Sequence, residues 1–297
     1  MEIKNLSGKN KTIIGHICAI FCVFVWGTTF VSTKVLLKDF APLEIMAFRI
    51  ALAVIVLFMV YPKILKWSGI KQEFFYALAG LTGVTLYFLL ENMALTYSYA
   101  SNVSLIVATA PLFTALAVRV VTKSIKLKWN FFLGFVVAMI GIFLISFNGS
   151  LQLKLNPLGD LLALGAAVSW AIYCVILQKY PGKGNVVQAT RRIFVYGLIF
   201  MIPAGMLMGF NWNIERFASS ANFLNMLFLG VIASALCFVV WNYGMKLIGP
   251  VKTSIYIYAN PVITIVFSVM LLKEPLTLTI IVGAVLTLSG LVISQKH

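Results

Sequence analysis

The chain has 297 residues, 61% hydrophobic and 10% charged, with a mean hydropathy of +1.00. Soluble domains carry about 25% charged residues, so an ordinary soluble globule is excluded and an integral membrane protein remains. A formal charge of +15 would suggest a nucleic-acid partner for a soluble chain, but here the basic residues mark loops and orient the chain in a lipid bilayer, and no nucleic acid is expected.

Apolar runs long enough to cross a hydrocarbon core of about 30 Å follow one another at residues 13–37, 43–61, 74–97, 101–121, 130–147, 158–179, 186–208, 222–246, 250–272 and 276–295. They are continuous, without the alternation of barrel strands, which predicts an all-α membrane protein of ten transmembrane helices. The basic stretch before residue 13 resembles the start of a signal peptide. The apolar segment after it exceeds 20 residues and lacks a small-x-small cleavage site, so it is read as an uncleaved first span. Cys18, Cys22, Cys174 and Cys237 all fall within spans with no CxxC pair. Neither a zinc site nor a disulfide framework follows, and packing is the expected role.

Lysine and arginine placement fixes the expected orientation. Lys4, Lys9, Lys11, Lys63, Lys66, Lys71, Arg119, Lys123, Lys126, Lys128, Lys179, Lys183, Lys246, Lys252 and Lys296 fall on one side, 15 of the 23 basic residues. The other side has Lys34, Lys38, Lys154, Arg216 and Lys273, while Arg49, Arg191 and Arg192 lie just inside spans. The bias predicts cytoplasmic termini in the bacterial inner (plasma) membrane.

The chain also repeats itself. Gly15 pairs with Gly159 and Trp26 with Trp170 at an offset of 144, and Arg49 with Arg192 at 143. Gly80 pairs with Gly230, Asn92 with Asn242, Pro111 with Pro261 and Lys123 with Lys273 at 150, then Gly134 with Gly283 and Gly141 with Gly290 at 149. Two units, 1–150 and 151–297, result. Five helices per unit reverse the sense of the second, and the charges agree: basic loops follow spans 2 and 4 in the first unit but spans 6 and 8 in the second. Inverted repeats let one chain open alternately to either face, as many secondary transporters do. No GxxxxGK[ST] loop or nucleotide domain is present, so gradients rather than ATP would supply the energy.

The paired spans, the Ala-Pro and Asn-Pro of spans 4 and 9, the run Leu271-Leu272-Lys273-Glu274-Pro275 and the glycines at 283 and 290 resemble the EamA-type branch of the drug/metabolite transporter superfamily. The resemblance implies ten helices, cytoplasmic termini and a central cavity lined by spans 1, 3, 4, 6, 8 and 9, with spans 5 and 10 peripheral. It also implies a small-molecule substrate such as an amino acid or related metabolite. One departure is visible: Glu274 precedes the last span, whereas Thr122-Lys123-Ser124 stands at the matching place of the first unit. A carboxylate before Pro275 suits a helix N-terminus, so Glu274 is read as structural.

Glu91 is the one acid well inside a span, about 26 Å along a helix starting at residue 74 at ~1.5 Å per residue. Such residues point to function, here as a proton acceptor, with protons as the coupling ion, or as partner of a substrate ammonium; a hydrated position near the interface is the bland alternative. Asn92 and Asn242 occupy equivalent places, where interhelical hydrogen bonding and substrate contact compete. Asn260 precedes Pro261, which frees a carbonyl of the preceding turn. Trp26 and Trp170, equivalent and away from the interfacial belts, are candidates for a pocket wall or for helix packing. Tyr87, Tyr173, Trp241, Tyr256 and Tyr258 add rings on cavity-lining spans.

Arg49 and Arg192 are expected to snorkel to lipid phosphates. Gly134, Ala138 and Gly141, like Gly283, Thr287 and Gly290, recur at helical spacing and permit close helix contact within the chain or between protomers; oligomeric state is open. The expectation is a gradient-driven exporter without cofactor. The alternative is an intramembrane enzyme acting on lipids or peptides. It lacks its inventory: the histidines are His16 and His297, near the chain ends, Glu91 has no acidic companion in a span, and no HExxH or GxSxG occurs.

Overall fold

The computed structural model describes residues 8–98, 100–123, 128–147, 156–182, 184–211, 213–272 and 277–295. Among these residues the protein is all-helical, with no strand. The helices are α1 (Gly8–Leu36), α2 (Pro42–Val60), α3 (Ile70–Gly80), α4 (Tyr87–Tyr97), α5 (Ala100–Val107), α6 (Ala110–Thr122) and α7 (Trp129–Phe147). They continue as α8 (Pro157–Lys179), α9 (Val186–Met208), α10 (Ser220–Leu227), α11 (Cys237–Ile248), α12 (Pro250–Ser254), α13 (Asn260–Leu272) and α14 (Leu278–Gln295). Seven helices are long and apolar enough to cross a membrane: Lys9–Leu36, Pro42–Val60, Ile70–Tyr97, Val103–Thr122, Pro157–Lys179, Val186–Leu207 and Ser220–Ile248. Two shorter apolar helices, Trp129–Leu144 and Ile281–Ser294, stand where spans 5 and 10 are expected.

The sequence explains where helices start and break. Asn156 caps α8 by accepting from the Leu158 and Gly159 N–H groups, with Pro157 in the first turn, the arrangement that pre-sets a helical start. Asn185 and Gln188 cap α9 reciprocally. Spans 4 and 9 are each interrupted before their matched prolines. α5 and α6 are separated just ahead of Pro111, and between α12 and α13 the chain tightens into a 3-10 turn, Ile255–Ala259, just ahead of Pro261. Proline has no N–H to give and clashes with the preceding turn. The carbonyl that Pro261 would free is not left free, because the Asn260 N–H donates to the Ile257 carbonyl within the 3-10 turn. The expected lone acceptor there is corrected accordingly.

α3 and α4 form one rod through a π-helical stretch, Leu81–Leu86, and α10 and α11 another through Phe228–Leu236. The two wide turns fall at the 150-residue offset. A glycine lies near the start of each: a Cβ on Gly80, just before the first, would stand 2.6 Å from the Ile193 carbonyl of α9, and one on Gly230, inside the second, would stand 2.6 Å from Leu52 of α2. Glycine is needed at both for the rods to approach their neighbours so closely.

Packing interchanges the halves. α1 lies against α11 and α4 against α8; α2 meets the second wide turn while α9 meets the first; α13 meets α1 while α6 meets α8. α7 and α14 form the most extensive pair and run antiparallel. A Cβ on Gly134 would stand 2.6 Å from the Gly290 carbonyl, and one on Gly141 would stand 2.5 Å from the Gly283 carbonyl. The small-residue stripes therefore serve contact within the chain.

The ends of the bundle differ. At one end Gln188 and Arg191 donate to the Lys63 carbonyl, and Phe75 stacks on Tyr180 at 3.4 Å with Lys71 beside the ring. Arg192 pairs with Glu73 at 3.4 Å and donates to the Leu65 carbonyl. Arg192 is thus held by protein, not by lipid as expected. At the other end Arg216 pairs with Glu44 at 2.7 Å over a cluster of Phe40, Phe48, Phe210 and Phe217, whose rings lie 5.0–6.2 Å apart. The expected features at Glu274, Lys154, Lys183, Lys273 and both termini lie outside the described residues.

Candidate functional site

A small cavity lies between the two halves, lined by Trp26, Thr29 and Phe30 of α1, Arg49 of α2, and Tyr87, Phe88 and Glu91 of α4. Val107 of α5, Ala110 of α6, Trp170 of α8, Phe238 of α11, Ile257 of the 3-10 turn and Asn260 of α13 complete it. The cavity volume is about 30 Å³, room for about two waters at ~10–15 Å³ each.

Its wall is aromatic. Trp26 and Trp170, the matched pair of the repeat, meet edge to face at 5.5 Å and 89°. Trp241 lies 4.8 Å from Trp26, Phe238 lies 5.8 Å from both Trp26 and Trp170, and Tyr87 is 5.0 Å from Trp170. Edge-to-face contacts suit the ring quadrupoles and fix the cluster. The Trp26 indole N–H donates to the Ala233 carbonyl at 2.9 Å, inside the wide turn Phe228–Leu236. The Trp170 and Trp241 indole nitrogens and the Asn260 Oδ1 have no partner. Buried polar atoms without partners cost about 1–3 kcal/mol each, so those on the cavity wall, Trp170 and Asn260, favour a polar guest.

Opposite charges sit in this wall. Glu91, 8% exposed, accepts from the Tyr87 hydroxyl at 3.2 Å. Arg49, 2% exposed, donates through Nε to Ser234 Oγ at 2.9 Å and lies over the Phe88 ring at 4.1 Å. Arg49 is therefore no lipid anchor, and that expectation is corrected. The signal for it was Glu91 itself: a carboxylate in an apolar span calls for a cation nearby, and Arg49 is the cation that shares its cavity.

Five of the ten sequence candidates line the cavity: Trp26, Tyr87, Glu91, Trp170 and Asn260. The other five do not line it. Trp241 packs behind Trp26. Asn92 donates to the Pro42 carbonyl at 3.1 Å. Tyr173 donates to Asn242 Oδ1 at 2.7 Å, and Asn242 donates to Thr190 Oγ1 at 3.1 Å. Tyr256 is hydrogen-bonded to His16 Nδ1 at 2.8 Å. Both matched asparagines thus bond between helices. A second, larger cavity of about 360 Å³ opens beyond Asn242 among Gln178, Ala189, Thr190, Ile193, Met245 and Lys246, at the end that carries Lys63, Lys71 and Lys179.

An all-helical membrane protein with an internal duplication and a charged, aromatic cavity between its halves is the class this geometry defines. The EamA-like transporter family matches the chain twice, over residues 13–147 and 157–295, and the chain belongs to that family; it is a membrane transporter. An uncharacterized transporter of Archaeoglobus fulgidus is 25% identical over 292 residues, 95% of this chain and 98% of that protein. The uncharacterized transporter YyaM of Bacillus subtilis is 27% identical over 277 residues, 91% and 89% of the two chains. The uncharacterized inner membrane transporter YedA of Escherichia coli K12 is 25% identical over 267 residues, 87% and 83%. A solved crystal structure shares the fold, with a TM-score of 0.74 over 97% of both chains at 17% identity.

Proposed function

We propose that this protein is a gradient-driven exporter of small metabolites, amino acids or related compounds, working by alternating access through ten transmembrane helices. They form two inverted five-helix units, 1–150 and 151–297, with both termini in the cytoplasm of a cell whose inner membrane holds the protein. The carrying observation is that Arg49 and Glu91 stand in one cavity between matched tryptophans. A guanidinium for a carboxylate, a carboxylate for an ammonium and aromatic walls for an apolar side chain make a receptor for a zwitterion. Asn260 and the Trp170 N–H supply further polar contacts. Antiparallel packing of the matched helices α7 and α14 supports the inversion, and the exchanged neighbours across the halves support a two-fold relation. Protons are the coupling ion, exchanged at Glu91.

Export of amino acids from loaded proteoliposomes is the test. Flux above protein-free vesicles, reduced when Trp26→Ala and Asn260→Ala weaken solute affinity, is expected. Intact affinity in both variants would remove the cavity from the transport route.

A further inference from the structure

On the reading of the small cavity as a station on a solute path, we infer that Tyr173 is the gate between that cavity and the 360 Å³ vestibule at the lysine-bearing end. Tyr173 is wholly buried and links the walls of the two compartments without lining either. Its ring lies 5.2 Å from Trp170 on the cavity wall, and its hydroxyl holds Asn242 of the vestibule wall at 2.7 Å. Asn242 in turn donates to Thr190, which also lines the vestibule. The ring, packed also against Phe238 at 6.2 Å, and one hydrogen-bonded chain from α8 through α11 to α9 thus join the wall of one space to the wall of the other.

The repeat shows why the gate is here and not at the other end. At the offset that pairs Trp26 with Trp170, Tyr173 pairs with Thr29; at the offset that pairs Asn92 with Asn242, Gly83 pairs with Ala233. The Tyr173 ring lies on Gly83, where an added Cβ would collide with it, 2.8 Å from Cε2. Tyrosine and glycine in one unit thus stand where the other has threonine and alanine, and Thr29 lines the cavity instead of ending it. The large side chain and the small seat are a paired departure from two-fold symmetry. At the opposite end Phe40, Phe48, Phe210 and Phe217 pack together under the Arg216–Glu44 pair. A gate that turns on one side chain opens by a rotamer change, and the vestibule end is the one this gate would open.

The test is thiol accessibility, which needs no knowledge of the solute and no transport. Cys18, Cys22, Cys174 and Cys237 are replaced by alanine. A reporter is then placed either in the cavity, Ala110→Cys, or in the vestibule, Ala189→Cys. A membrane-impermeant maleimide is presented to the lysine-bearing face in oriented proteoliposomes. Ala189→Cys is expected to react fast in every background and Ala110→Cys slowly in the parent. Tyr173→Phe, which loses one hydrogen bond, should raise the Ala110→Cys rate about fivefold, and Tyr173→Ala by about tenfold or more. Gly83→Ala, which unseats the ring without touching it chemically, should also raise it. An unchanged Ala110→Cys rate in Tyr173→Ala or in Gly83→Ala, with Ala189→Cys reacting as before, would overturn the gate. It would leave the transport reading standing.

Discussion

Arg49 holds its place by two contacts of different kinds, a hydrogen bond to Ser234 and the face of Phe88. Lysine keeps the charge but has neither the planar fork nor the stacking surface. Arg49→Lys is therefore expected to weaken binding of a carboxylate-bearing solute by about tenfold, measured by titration of the purified protein; undiminished affinity would separate Arg49 from recognition. Glu91→Gln removes the ionisable group while keeping the hydrogen bond from Tyr87. The expected outcome in proteoliposomes is a flux that no longer varies with pH, and a variant with the parental pH profile would exclude Glu91 as the coupling group. Both residues were visible in the sequence to different degrees. Glu91 stood out because acids are rare in spans. Arg49 did not, since a span apolar on every face gives no stripe to say whether an arginine near its start points to lipid or inward. In the sequence Tyr173 is one ring among several on the cavity-lining spans; its seat on Gly83 depends on helix packing that the sequence does not show.

Helix existence was legible and helix continuity was not. The apolar runs predicted where the rods lie, because a backbone in hydrocarbon must satisfy its own hydrogen bonds. Hydropathy is blind to pitch, however, so the wide turns at Leu81–Leu86 and Phe228–Leu236 left no mark beyond the glycine that precedes or opens each. Prolines 111 and 261 signalled the breaks in spans 4 and 9, but the 3-10 turn that absorbs the freed carbonyl depends on packing. The α7–α14 contact makes a prediction at this scale. A Cβ on Gly141 would stand 2.5 Å from the Gly283 carbonyl, which is backbone and cannot swing aside. Gly141→Val is expected to destabilise the protein by about 1–3 kcal/mol, read as a lowered melting temperature in detergent. Gly205→Ala, whose new Cβ would meet only Leu43 at 3.8 Å, should melt at or above the parent temperature. Equal melting of the two variants would show that the stripe does not hold these helices together.

For the whole molecule, the duplication carried the reading from sequence to site: matched tryptophans proved to meet edge to face on the cavity wall, and matched glycines to cross in the α7–α14 pair. Its symmetry is incomplete, with an aromatic and ionic cluster at one end and Tyr173 resting on Gly83 towards the other. The central claim is that the halves lie in opposite sense across the membrane. The most direct measurement is labelling of single cysteines in the loops that follow the second helix of each half, Lys66→Cys and Glu215→Cys, with an impermeant maleimide applied to intact cells and to inverted vesicles. The account predicts that Glu215→Cys reacts only from outside the cell and Lys66→Cys only in inverted vesicles. Reaction of both from the same face would contradict it.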